Sequence, residues 1–253
     1  MRARQISEIL ERFAPIGTAE EWDNPGYCIG SPDQEIKGVM VAFDCTPEVV
    51  EEAASFGCDM IVTHHPLIFH GVKKINSGDP VGKAVEAAIR HGIVVYAAHT
   101  NADKAPEGVN WLMAKRMHLV DAKPLDESGI GLVGELPITL SCPQFIDSVM
   151  ASFHLQHLRH SKPLDCKVQR VALCSGSGGS LLEAAISSGA QAYVTADLSY
   201  HQFFCPDGFI VLDIGHFESE SEIVDKFIEV LNENLHTFAV RKAERIINPI
   251  NYR

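Results

Sequence analysis

Apolar residues come in short blocks along this chain, and the blocks alternate with stretches whose apolar positions recur every three to four residues. "VMVAF" (39–43), "MIVT" (60–63), "IVVYAA" (93–98), "VALC" (171–174), "AYVTA" (192–196) and "FIVLDI" (209–214) have the length and β-branched content of buried strands. Between them, "PEVVEEAASFG" opens on Pro47 and closes on Gly57, and "PVGKAVEAAIRHG" (80–92) and "GGSLLEAAISSG" follow the same helical pattern. At the start, Ile6, Ile9, Leu10 and Phe13 keep helical spacing up to Pro15. Strand–helix alternation predicts α/β architecture with mixed, largely parallel sheets flanked by helices. The polar, turn-rich "DAKPLDESG" (121–129) is read as a linker. The expected organisation is two linked α/β lobes, 1–123 plus 215–253 carrying the chemistry and 127–214 forming the second.

Sliding the chain by 132 positions lays "VMVAFDCTPEVVEEAASFGCDMIVT" (39–63) without a gap on "VALCSGSGGSLLEAAISSGAQAYVT" (171–195). Val39 meets Val171, Glu51 meets Glu183 and Gly57 meets Gly189. Any two βαβ units share Ala, Val and Gly, but a gapless run of this length favours an internal duplication. In that register His64 and His65 fall where the second copy has Ala196 and Asp197. The two strands therefore end in different chemistry, at the edge where α/β sheets bind ligands.

Composition narrows the classes. The chain has 253 residues, 46% hydrophobic and 21% charged, with net charge −12. That is globular composition, and the acidity argues against broad electrostatic binding of nucleic acid. Seven cysteines, scattered and without a Cys-x-x-Cys pair, point to reduced thiols. The N-terminal stretch is not patterned as a signal peptide, and no apolar run reaches the roughly 18 residues of a membrane span. The expectation is a cytoplasmic protein with no membrane partner.

The chemistry gathers at strand ends. "THHP" places His64 and His65 together at the end of an apolar run. Neighbouring side chains of a regular strand point to opposite faces, so the two rings can serve one centre only where Pro66 forces the chain to turn. Alone, the pair is equally read as two hydrogen-bonded, partly buried histidines. After the next strand, "HTNADKAPEGVN" (99–110) offers His99 and Asp103, with Pro106 and Gly108 opening a helix. After the last, "GHFESESEIVDKF" (215–227) offers His216 and Glu220, four apart and so on one helical face. Imidazole with carboxylate suits Zn, Fe, Mn or Ni. Glu218 and Glu222 are read as a solvated acidic helix start. Asp44, at the end of "VMVAF", is a further candidate for the same cleft. "SGSGG" (175–179) lacks the spacing of a phosphate-binding fingerprint and is read as a tight turn. His154, His157 and His160 in "HLQHLRH" are read as the end of a surface helix.

Six segments, "EEWDNPGYCIG", "VTHHPLIFHGVKKI", "HTNADKAPEGVN", "SGGSLLEAA", "VTADLSYHQ" and "DIGHFESE", closely resemble the NGG-interacting-factor-like dinuclear metal proteins, many of which carry the label GTP cyclohydrolase 1 type 2. The resemblance runs in order from about residue 20 to 225. It implies two divalent cations per subunit, held by His64, His65, Asp103, His216 and Glu220, with Asp103 and Glu220 as bridges. It also implies toroidal homohexamers, and the chain matches the short form without a central insertion. Asp197, Tyr200 and His201 match a family segment and would lie near the metals. His201 and His99 are the candidates for proton transfer, and Trp22, Asp23 and Asn24 would fix a loop. Two departures, Ala196 for a glycine and Ser219 for a threonine, remove no ligand.

The first functional expectation is a dinuclear metal-dependent hydrolase acting on a nucleotide. The family label implies opening of the guanine ring of GTP. The alternative is a metal-dependent regulatory or metal-handling ring protein without robust catalysis. A ring encircling nucleic acid is disfavoured by the net charge.

Overall fold

The structure, a computed structural model, describes residues 1–162, 165, 167–245 and 248–251. It divides into two compact units. One comprises Met1–Pro106 with Ile223–Pro249, the other Glu107–Glu222 with Ile250–Arg253.

The chain enters the first unit through α1 (Ala3–Phe13) and β1 (Gly26–Ile29). There follow β2 (Gly38–Ala42), α2 (Pro47–Ser55), β3 (Met60–Thr63), α3 (Pro80–His91), β4 (Val94–Ala97) and the short α4 (Thr100–Lys104). It then builds the second unit from α5 (Val109–Arg116), β5 (Val120–Pro124), β6 (Leu132–Ser141), α6 (Cys142–Ser152) and β7 (Arg159–His160). That unit is completed by β8 (Lys167–Leu173), α7 (Leu182–Ser187), β9 (Ala192–Thr195), β10 (Ile210–Asp213) and α8 (His216–Glu220). The chain returns to the first unit as α9 (Ile223–Asn234) and β11 (Ala239–Lys242).

Local chemistry sets the helix starts. The Thr46 side chain accepts the Val49 N–H and Pro47 pre-sets the first turn of α2. Asp79 caps Gly82 and Pro80 does the same for α3, which stops at Gly92 in the left-handed region (φ 65°).

The first sheet has the order β1-β4-β3-β2-β11. All its pairs are parallel except β1 with β4. Met40, Ile61 and Val95 pack on Val49, Val50 and Ala53 of α2 and Ala84 and Ala88 of α3. Helices α1 and α9 pack together, and α9 contacts β2. Apolar cover on both faces explains why β2, β3 and β4 are buried along their whole length. The second sheet has the order β5-β6-β8-β9-β10-β7. Only β8–β9 and β9–β10 are parallel. Its antiparallel margin went unread because β5 and β7 are exposed and Pro137 lies within the irregular register of β6.

The repeat is present as local fold. Val39 pairs with Met60 and Val41 with Val62, while Val171 pairs with Ala192 and Leu173 with Val194, the same register after the 132-residue shift. Gly57 and Gly189 end the two helices at positive φ, 68° and 76°.

Three expectations are corrected. Residues 121–129 are not a linker, because Val120–Pro124 is an edge strand paired with β6. The units divide at 106/107 and 222/223 rather than near 123 and 215. Met113, Ala114 and Met117 are buried in the second unit's core, which assigns α5 to it, and α8 belongs there too. The return to the first unit is real but starts at Ile223, and the last two residues of the expected range lie outside those described. His154–His160 is not a helix end, since α6 stops at Ser152, His154 has φ 55° and His160 lies in β7. No helix among the described residues is long and apolar enough to cross a membrane.

Ile61 is fully buried at the centre of the first sheet, while Ile138 is 67% exposed. Ile61→Ala is expected to cost about 2–5 kcal/mol and Ile138→Ala less than about 0.5 kcal/mol in urea denaturation. Equal losses would show that this core is not where stability resides.

Candidate metal centre

In the first unit, the turn after β3 carries His64 and His65. The Thr63 hydroxyl donates to the His65 carbonyl (2.7 Å) and the His65 N–H to the Phe43 carbonyl (3.3 Å), so the strand's alternation ends there. Both rings then lie on one side, with centroids 4.8 Å apart. His64 is fully buried and stacks on Phe43 at 5.9 Å. Its Nδ1 donates to the Ala98 carbonyl at 3.0 Å. His65 Nδ1 donates to Asp44 Oδ1 at 2.8 Å. His99 follows β4, and its Nδ1 donates to Asp23 Oδ1 at 2.7 Å. The ligand-competent nitrogens of His64, His65 and His99 all lie within 4.8 Å of one another.

The three bonds have one chemical effect. An imidazole whose Nδ1–H is engaged carries its lone pair on Nε2 and is fixed in orientation, the arrangement that prepares histidine for a metal. Asp103, expected in a loop, sits on α4 and brings Oδ1 to 3.7 Å from His64 Nε2.

Asp23 is the best-braced group. Burial raises its pKa, but hydrogen bonds from His99 and from the Thr100 N–H and hydroxyl outweigh that and hold it down at about 2. The carboxylate that orients His99 thus stays charged far into acid.

In the second unit, α8 carries His216 and Glu220. His216 Nε2 lies 3.0 Å from Glu220 Oε2, and His216 Nδ1 donates to Asp197 Oδ2 at 2.8 Å. Asp197 holds φ 54°, a conformation that costs a non-glycine residue energy and here aims its carboxylate at the ring. The turn at Ser175–Gly176 braces α8. The Gly176 N–H donates to Ser219 Oγ (2.9 Å), and that hydroxyl donates to the His216 carbonyl (2.8 Å). Ser175 N–H is held by Asn110 Oδ1 at 2.8 Å. Gly176 has φ 56°, and a Cβ there would run into Glu220 Oε1. Asp213 accepts the Leu198 N–H (2.9 Å) and pairs with Arg159, fixing the loop that follows β9.

Each set offers imidazole nitrogen and carboxylate oxygen, which fits Zn, Fe, Mn or Ni rather than Ca or Mg. The other candidates distribute as follows. His201 stands in solvent between Tyr200 and Phe204, with ring centroids at 5.3 and 6.2 Å. Glu222 pairs with Arg116 at 3.5 Å. Glu218 lines a small cavity with His154 and His157. Asp44 backs His65 rather than offering itself as a ligand, and "SGSGG" is a tight turn whose work is to hold α8. Sequence reasoning missed Asp213 and gave Asp23 only a loop-fixing part. An acidic residue next to a tryptophan, or ending a strand, was the available signal.

The chain is similar to several known proteins. A relative from Clostridium acetobutylicum, named GTP cyclohydrolase 1 type 2 homolog, is 32% identical over 249 residues, covering 95% of this chain and 93% of its own. A crystal structure of a Staphylococcus aureus hypothetical protein superposes with TM-score 0.88 at 26% identity, covering 100% of this chain and 99% of that one. A Bacillus cereus protein described as related to NIF3 shares the fold, with TM-score 0.90 at 22% identity over 100% and 99% of the two chains.

Two substitutions test the site. Gly176→Ala and Gly189→Ala both place an L side chain at positive φ, but only the first meets Glu220, and nothing lies within 4 Å of the second. Both should cost about 1 kcal/mol in stability. Only Gly176→Ala should lower metal content, measured by plasma mass spectrometry; equal content in both would show that the glycine does not position Glu220. For Asp23, the folded pKa lies below the ordinary value of 3.8, so its contribution is present above about pH 4 and is lost as pH falls towards 2. Asp23→Asn should remove about 2 kcal/mol of stability at pH 6 and flatten the profile between pH 4 and 2. An unchanged acid profile would show that the His99 bond does not stabilise the fold.

The description of the family model matching residues 1–249 is Duf34/NIF3 (NGG1p interacting factor 3), and the chain belongs to that family.

Proposed function

We propose that this protein is a dinuclear metal-dependent hydrolase, with His64, His65, Asp103, His216 and Glu220 as the ligands of two divalent cations. The observation that carries the reading is the uniform bracing of the imidazoles. Four histidines that follow strands each engage Nδ1 with a carboxylate or carbonyl, which fixes the ring and turns Nε2 to the opposite side, where His64, His65 and His216 would meet a cation. Asp103 and Glu220 have the chemistry to bridge. Five protein ligands are fewer than two cations take, which leaves positions for water and substrate, as at catalytic rather than structural sites. When bound, such cations supply Lewis acidity towards a carbonyl, imine or phosphoryl oxygen and acidify water. The chain's own part is to aim the ligands and move protons. His99, fixed by Asp23, can exchange a proton at Nε2, and exposed His201 can relay one to solvent. The names of the curated relatives make a nucleotide the first substrate to try.

A second reading is favoured by one observation. Tyr200 and Phe204 are 73% and 72% exposed, beside His201, an apolar group that suits an interaction surface. The protein would then be a self-assembling, metal-dependent regulatory or metal-handling ring.

Purified protein is expected to carry two metals per chain by plasma mass spectrometry. His65→Ala and Asp103→Ala should each lose at least one, and full content in both would refute the ligand assignment. The metal-loaded protein should turn over at least one member of a nucleotide panel, with the rate lost on chelation and restored by metal. Metal-replete protein inert on the whole panel would favour the second reading.

A further inference from the structure

The first unit carries a cleft of about 580 Å³ that opens directly against His65 and Asp44. That volume lies within the range of small-ligand pockets. Its walls are Pro47, Leu67, Ile68, Phe69, Pro80 and Val81. Phe69 and Val81 are each 39% exposed, so apolar surface faces water here without protein cover. Phe69 joins the cleft wall to the histidines. Its ring lies 5.9 Å edge-on from His99 and 4.6 Å from His70, and Trp22 supports it at 6.0 Å. The loop is pinned by Asn24 Nδ2, which donates to the Ile68 carbonyl.

The polar rim sets the charge of an occupant. Among the described residues lining the cleft there is no lysine or arginine, and Asp44 contributes a carboxylate that is 43% exposed. Asp44 Oδ1 is engaged by His65, and a carboxylate accepts more than one hydrogen bond. A phosphate chain entering here would meet the Asp44 carboxylate and no lysine or arginine to pair with it. A flat ring would gain from Phe69 and the prolines, and an N–H on its edge would find Asp44.

We infer that this cleft is a binding subsite for a neutral, planar nitrogen heterocycle with an N–H edge, held against His65, and that it excludes phosphate. The inference deepens the hydrolase reading by naming which part of the substrate lies beside His65, and as a substrate subsite it rests on that reading. Phosphates, where a substrate has them, extend away from this cleft.

The test uses the full-length, metal-loaded chain labelled with ¹⁵N, with indole as the neutral ring probe, 1-methylindole as its partner lacking the N–H, and inorganic tripolyphosphate as the anion. Indole is expected to produce saturable amide shifts at Leu67–His70 and Val81. 1-Methylindole should bind several-fold more weakly, and tripolyphosphate should leave these amides unmoved. Val81→Phe, which fills the cleft from an exposed helix start, should weaken indole at least tenfold without changing metal content. Val81→Met, a smaller filling, serves where the Phe variant fails to fold. Absence of saturable shifts at these amides, indole affinity unchanged in the folded filled variant, or tripolyphosphate moving the same amides would overturn the inference. Metal content and turnover on the same samples separate the two ideas. Loss of the hydrolase reading leaves indole binding intact, and loss of the subsite leaves the metal intact.

Discussion

His64, His65, His99 and His216 are each aimed by the hydrogen bond that Nδ1 makes. An imidazole at a strand end has rotational freedom and two tautomers, and an acceptor on Nδ1 removes both. His64 uses a backbone carbonyl because it is fully buried, where an added charge would be costly. His65, His99 and His216 lie nearer solvent and use Asp44, Asp23 and Asp197. The backing acceptors come from elements far from the histidines in sequence. The sheets therefore have to be in register before the rings can be aimed.

This explains what the sequence could and could not reveal. Parallel strands covered on both faces are unbroken apolar runs, so β2, β3, β4, β9 and β10 are legible. The ligand candidates are legible too, because strand ends collect chemistry and because the six motif segments resemble a known family. The margins are not. β11 is mostly exposed and charged, and β6 contains a proline at its irregularity. The backing carboxylates were only half visible. Asp44 looked like a ligand candidate, and nothing local distinguishes a carboxylate that binds metal from one that binds the far nitrogen of a histidine.

The domain boundary was missed for a related reason. The polar stretch 121–129 has linker composition, yet edge strands are polar as well, and charge on an edge is a protection against unwanted pairing. Helix α8 is tied to the strand-to-helix turn after β8 by Ser219 Oγ, which accepts the Gly176 N–H, and that turn is tied to α5 by Asn110 Oδ1, which accepts the Ser175 N–H. No hydropathy pattern records such a brace.

The way β11 closes the first sheet has a consequence for the order in which the molecule is made. Val39 pairs with Val240, and Met40 with Arg241. A chain leaving the ribosome therefore presents β2 with one edge open until β11 emerges, after every strand of the second unit. The second unit's strands, all encoded between Val120 and Asp213, are complete before that. Domains fold as units during synthesis, so the inserted unit is in a position to mature first, while the first unit waits for β11. A change that impedes β11 would therefore act on the sheet containing β2, made long before it, rather than on the unit made just before it.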